Sequence, residues 1–237
     1  VAGILLIHGA LHGPWCWTEF AQRLAAQGHD ACAVDLRPHK KTWRRLDGYV
    51  AEAARAAEAF ATPPVVVGHS LGGLVVQKYL ERHAAPGGVL MASVLPGGGV
   101  GAVARQWLRH PWPMFEAGLS RRFRPLVATP ALVRAHFFTP ETPQAIVDRC
   151  FAQIEDDSPF ALFATLAERP RPDRVRAPVL VLGAARDAMI SAAATRRTAR
   201  AYRAEAEIFQ RIGHDMMLDR GWEKVADRIA AWAGERA

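Results

Sequence analysis

Cysteine is scarce in this chain, long apolar runs are missing, and no stretch is dominated by one residue type. The 237 residues include three cysteines, Cys16, Cys32 and Cys150. They are odd in number and far apart, with no metal-ligand spacing. A disulfide framework is therefore not expected, no metal is expected, and a reducing cytoplasm is the expected location. No segment approaches the roughly 20 apolar residues of a membrane-spanning helix. The apolar run Gly3–Ile7 is too short for a secretory signal and lacks a basic flank. The chain begins at Val1 rather than Met, which points to a few residues preceding it.

What is present fits a globular protein of one or two domains: 50% hydrophobic, 22% charged and 8% aromatic residues. The net charge is +7, nearly all of it from arginine. These arginines are spread along the chain with no repeating basic-aromatic pattern, so the charge reads as compositional bias rather than a nucleic-acid footprint. The nearest thing to a patch is His39-Lys40-Lys41-Thr42-Trp43-Arg44-Arg45. Neither nucleic acid nor membrane is an expected partner, and a monomer or homodimer is the default.

Short apolar runs alternate with helical patterns. Ile4–Ile7, Ala31–Val34, Val65–Val67, Val89–Met91 and Val179–Leu182 read as buried strands, with Glu207–Phe209 as a possible sixth. Runs without polar alternation predict a parallel sheet covered on both faces. Between them lie helix candidates at Trp15–Ala26, Leu46–Ala61, Leu71–His83, Ser191–Tyr202 and Trp222–Ala233. The expectation is an open α/β sheet with right-handed crossovers. Residues 96–178 break the rhythm: helical, aromatic and proline-interrupted, with no convincing strand. They read as a helical lid inserted into a core of residues 1–95 and 179–237. The lid's Trp107, Trp112, Met114, Phe115, Phe137, Phe138 and Phe151 suit its own small core better than a ligand box.

The most specific motif is Gly68-His69-Ser70-Leu71-Gly72, after a strand and before a helix. A nucleophile on such a turn is held in a strained conformation above the strand ends, and the flanking glycines remove side-chain clashes. Ser70 is the candidate nucleophile. His214, in the loop after the last strand candidate, is the candidate base. Asp187, after Val179–Leu182, is the candidate orienting acid, with Asp156 and Asp157 as rivals. The chain order Ser, Asp, His is the one this architecture uses. Asp215 adjoins the base, but its side chain is expected to point away. Leu71 and Ala10 are the candidate oxyanion donors, and His8 is expected to brace the first loop.

At these residues the chain resembles the α/β-hydrolase superfamily. The opening His8-Gly9-Ala10-Leu11-His12-Gly13-Pro14-Trp15-Cys16-Trp17 is similar to the H-G-x-x-H-G-x-W-x-W start of small esterases and methylesterases that group with plant hydroxynitrile lyases. The resemblance implies about six parallel strands, with the second outside the first. It carries the nucleophile, acid and base onto Ser70, Asp187 and His214, and the oxyanion donors onto Ala10 and Leu71. The lyases have Thr where this chain has Gly9 and Lys where it has Asp215, which argues against cyanohydrin cleavage. Ser70 excludes the dehalogenases, whereas perhydrolases share the triad.

The expected activity is hydrolysis of a small, apolar carboxylic ester without a cofactor. Trp15, Leu95, Met189 and Met216 are candidate pocket walls. Two alternatives stand beside it. One is an acyl thioesterase using the basic residues Lys40, Lys41, Arg44 and Arg45. The other is a non-catalytic small-molecule binding protein on the same scaffold.

Overall fold

The computed structural model describes residues 1–36, 46–157 and 166–236. The basic segment around Lys40–Arg45 therefore lies outside the described residues, and the thioesterase reading that leaned on it gains no argument. Six strands form one sheet: β1 (Gly3–Ile7), β2 (Asp30–Val34), β3 (Val65–His69), β4 (Gly88–Met91), β5 (Val179–Ala184) and β6 (Ala206–Phe209). Every pairing is parallel, and the order is β2-β1-β3-β4-β5-β6. The second strand lies outside the first, as the resemblance implied.

Among the described residues the α-helices include α1 (Thr18–Ala26), α2 (Leu46–Ala57), α3 (Leu71–Leu80), α4 (Val100–Arg109), α5 (Pro111–Ser120), α6 (Pro130–Phe137), α7 (Gln144–Gln153), α8 (Ala192–Ala201) and α9 (Trp222–Gly234). Successive strand side chains point to opposite faces, which explains why the apolar runs are unbroken. Ile4, Leu6, Val65, Val67, Val89, Met91, Leu180 and Leu182 pack with Phe20 and Leu24 of α1 and Val225, Ile229 and Trp232 of α9. Leu5, Ile7, Val66, Leu90 and Val181 pack on the other face with Leu46, Tyr49 and Val50 of α2 and Leu74, Val75 and Tyr79 of α3. Each such side chain taken fully out of water contributes about 1.5–3 kcal/mol before entropy is counted.

The described part of the segment between β4 and β5 is helical, holding α4 to α7. It has its own apolar cluster of Val127, Val133, Phe137, Phe138, Val147, Cys150 and Ile154, closed against Leu11 of the loop after β1. Of the aromatic residues expected to form that core, Phe137 and Phe138 are buried and Phe151 packs against them. Trp107, Trp112 and Phe115 are exposed. Because all strands run the same way, the loops after β1, β3, β5 and β6 share the sheet's carboxyl edge. Candidate functional residues from four distant parts of the chain meet there.

Candidate active site

Ser70 sits between β3 and α3 with φ 53° and ψ −114°. A non-glycine residue held in this region costs about 1–3 kcal/mol and persists only where its surroundings enforce it. The enforcement is visible. The Ser70 N–H donates to the Met91 carbonyl at 3.0 Å, and the Ser70 carbonyl accepts from the N–H groups of Gly73 (3.1 Å) and Val94 (3.2 Å). A Cβ on Gly68 would sit on the Gly72 carbonyl, and one on Gly72 would sit on the carbonyls of Ile7 and His8. Gly72→Ala should therefore destabilise the fold by about 3 kcal/mol through overpacking. Urea denaturation of the variant against the parent checks this.

His214 is buried in the loop after β6. Its Nδ1 donates to Asp187 Oδ2 at 2.9 Å. The other Asp187 oxygen accepts from the N–H groups of Met189 and Ile190, both at 2.7 Å, so the carboxylate is fixed at both ends. Burial disfavours the His214 imidazolium, but the charge and hydrogen bond of Asp187, with the charge of Asp215, outweigh it. The pKa is raised above the ordinary 6.5. The rival acids are engaged elsewhere: Asp157 accepts from the Leu11 N–H, and Asp156 pairs with Arg122 and the Arg124 N–H.

The base loop is anchored to the segment between β4 and β5. The Asp215 N–H donates to the Phe137 carbonyl at 2.9 Å. The N–H groups of Gly213 and Thr139 share Asp219 Oδ2 at 2.8 and 3.2 Å. The Asp215 side chain turns away from the base and accepts from His12 Nε2 at 3.0 Å. His12 Nδ1 donates to the Ala10 carbonyl at 2.8 Å. One buried contact thus joins the loop carrying Ala10 to the loop carrying His214. His8 braces the same first loop, its Nε2 accepting from the Leu36 N–H at 3.1 Å.

Cys150 joins this cluster, with Sγ 3.9 Å from Asp215 Oδ2 and 4.0 Å from His12 Nε2. His12, Cys150 and Asp215 thus offer three ligand atoms within 4.8 Å of one another, a grouping that sequence spacing concealed. Burial, with the charge of Asp215 next, pushes the Cys150 thiol upward. The three side chains contact one another within hydrogen-bond range and brace the two loops against α7.

Burial opposes ionisation of Asp215, but the charge and hydrogen bond of His12, with His69 and His214, win and lower its pKa. A lowered carboxylate pKa contributes stability that is present above the unfolded value of 3.8. It is lost as pH falls through the folded value. Asp215→Ala should cost about 3 kcal/mol at neutral pH, as for one partner removed from a buried pair. The gap to the parent should narrow in acid. Denaturant titrations at pH 7 and pH 3 measure both.

Ser70, His214, Ala10 and Leu71 line one cavity of about 100 Å³. Leu71 opens α3, where N–H groups have no intrahelical partner. The loop carrying Ala10 lies against the serine: a Cβ on Gly9 would come within 3.1 Å of Ser70 Cβ.

Of the four candidate wall residues, only Met189 lines this cavity. Trp15 stacks on His12 at 5.2 Å and lines a separate groove with Glu19 and Arg149, drawn there by its packing against His12 and the apolar clusters around it. Met216 is fully buried in the core, carried there by the Asp215–Asp219 turn. Leu95 is displaced by Val94, whose N–H bonds to the Ser70 carbonyl. The walls that sequence reading missed include Val103, Gln106, Val127, His136 and Ile190. Only local helical periodicity was available to find them, and it says nothing about which helix face meets the cavity.

A parallel sheet of this order with a strained serine on the turn after β3 defines an α/β hydrolase, and the alpha/beta hydrolase family model matches residues 4–228. The chain belongs to that family. It is 34% identical over 122 residues to esterase PIR7B of Oryza sativa subsp. japonica, covering 46% of each chain. It is 32% identical over 103 residues to methyl jasmonate esterase 1 of Vitis vinifera, covering 39% of this chain and 40% of that one. The matches thus span about half or less of the length of these curated relatives. A solved monoacylglycerol lipase from Paleococcus ferrophilus shares the fold with a TM-score of 0.74 and 20% identity, covering 99% of this chain and 95% of that chain. No helix among the described residues is long and apolar enough to cross a membrane.

Proposed function

We propose that this protein hydrolyses small carboxylic esters through a covalent acyl-enzyme on Ser70. The observation that carries the reading is the strained Ser70 sharing one cavity with His214, whose Nδ1 is bonded to Asp187. The esterase names of its relatives agree with it.

Ser70 Oγ attacks the ester carbonyl as His214 Nε2 takes its proton. Asp187 holds the ring in the tautomer that leaves Nε2 free to accept, and stabilises the imidazolium that forms. The carbonyl electrons move onto oxygen, where the N–H groups of Ala10 and Leu71 receive them. Each such donor is worth about 3 kcal/mol in the transition state. Collapse breaks the C–O bond, and His214 returns the proton to the departing alkoxide. Water, deprotonated by the same ring, then releases the acid. The route uses no metal or organic cofactor.

The helices between β4 and β5 act as the lid and supply most of the apolar wall. A cavity of about 100 Å³ is smaller than the roughly 150 Å³ that takes a benzene ring, which suits a short acyl or alkoxy group. The test is hydrolysis of p-nitrophenyl esters from acetate to laurate by the parent and Ser70→Ala. The expected result is a short-chain optimum and loss of turnover in the variant. Equal rates in the two proteins would overturn the reading.

A further inference from the structure

Two buried polar atoms on the helical wall of the cavity have no role in the chemistry above. Gln106 of α4 is 2% exposed and His136 of α6 is 1% exposed, and both line the cavity with Ser70 and His214. Gln106 Nε2 donates to the Ala188 carbonyl at 2.8 Å, which settles the amide orientation and leaves Oε1 at the other end. His136 Nδ1 donates to the Leu132 carbonyl at 2.7 Å, so the neutral ring presents a bare lone pair at Nε2. Neither Gln106 Oε1 nor His136 Nε2 has a hydrogen-bond partner among the described residues.

We propose that Gln106 Oε1 and His136 Nε2 form a subsite that accepts a hydrogen bond from a hydroxyl group on the substrate. The inference rests on the ester-hydrolase reading and narrows its substrate class to small, neutral hydroxy esters. A buried acceptor without a donor is costly, so a ligand that supplies one is favoured over an isostere that does not. Both atoms are acceptors, which turns away a carboxylate or phosphate at this wall. No carboxylate lines the cavity among the described residues, so a buried ammonium would be left without a counter-charge. A neutral hydroxyl meets both conditions.

Burial, followed by the charges of His110 and His214, outweighs the bond to Leu132 and holds the His136 ring down at about 4. The ring is therefore neutral wherever His214 can act as a base. His69 Nδ1 is a third buried acceptor on the cavity lining without a hydrogen-bond partner among the described residues. It lies against Gly9, within 3.1 Å of where a Cβ would stand, on the sheet side of the cavity, and is not part of the subsite.

The experiment compares kcat/KM of the parent for matched esters in which a methyl replaces the hydroxyl. The pairs are ethyl 2-hydroxybutanoate with ethyl 2-methylbutanoate, ethyl 3-hydroxybutanoate with ethyl 3-methylbutanoate, and 2-hydroxyethyl with propyl butanoate. At one position the hydroxy ester should be preferred by about tenfold or more. Gln106→Met and His136→Phe should each move that ratio toward one. Equal or better turnover of the methyl partner at every position would overturn the subsite, as would an unchanged ratio in both variants. Calorimetric titration of Ser70→Ala with the same pairs separates the two readings. A tenfold binding preference there supports the subsite even if the parent hydrolyses nothing, and equal binding overturns it whatever the parent hydrolyses.

Discussion

Ser70→Ala is expected to lower ester turnover by about 10⁴- to 10⁶-fold, the loss seen when a serine nucleophile is deleted from a triad. The residual rate would come from the N–H groups and the cavity, which the substitution leaves alone. Removing Oγ should not cost the fold. The φ of 53° at Ser70 is enforced by backbone bonds to Met91, Gly73 and Val94, not by the side chain. The check is steady-state kinetics beside a denaturant titration. Lost turnover with unchanged stability is the expected pair. A fall in stability matching the fall in rate would argue instead for a structural serine.

Asp187→Asn is expected to cost about 10⁴-fold in kcat near neutral pH. An amide in this place donates as well as accepts, so it can favour the ring tautomer whose Nε2 carries the proton and cannot serve as base. The pH-rate profile makes the assignment specific. A base must be unprotonated, so the parent's rate falls on the acid side, with a midpoint above 6.5 because the His214 pKa is raised. Burial is the largest influence on that ring and pushes the other way; the charge and bond of Asp187 overcome it. Removing them should carry the acid limb to lower pH in the variant. The stability linkage has a definite sign. A raised histidine pKa contributes stability that is full below the unfolded value of 6.5 and is lost as pH rises through the folded value. The variant should lack that contribution, so its deficit should be largest in mild acid and shrink above neutrality. A limb that stayed in place would mean that Asp187 does not set the base.

The strands were legible because each is a local signal: Val65–His69 and Val179–Ala184 are apolar on both sides, and both of their faces are covered. The turn at Ser70 was legible for a related reason. Its glycines answer to contacts within a few residues, or with the neighbouring strand β1. The candidate base and acid could be chosen by their place after strands, since a parallel sheet brings all such loops to one edge.

The cavity wall could not be read this way. Whether Trp15, Leu95 and Met216 or Gln106, Val127 and His136 face the serine depends on how α4 to α6 sit over the sheet. That is decided by packing between residues far apart in sequence. The brace of His12, Cys150 and Asp215, and the role of Asp219 in holding Gly213 to Thr139, are of the same kind. Each residue alone is an ordinary polar or thiol side chain.

The sequence by itself therefore determined the sheet, the strained turn and the identity of the candidate reacting groups. These follow from hydrophobic periodicity and from steric limits on a short backbone segment. Tertiary structure decided which helix faces enclose the candidate reacting groups and which buried acceptors line the cavity. Burial and hydrogen-bond satisfaction are properties of surfaces brought together from across the chain, and no local window contains them.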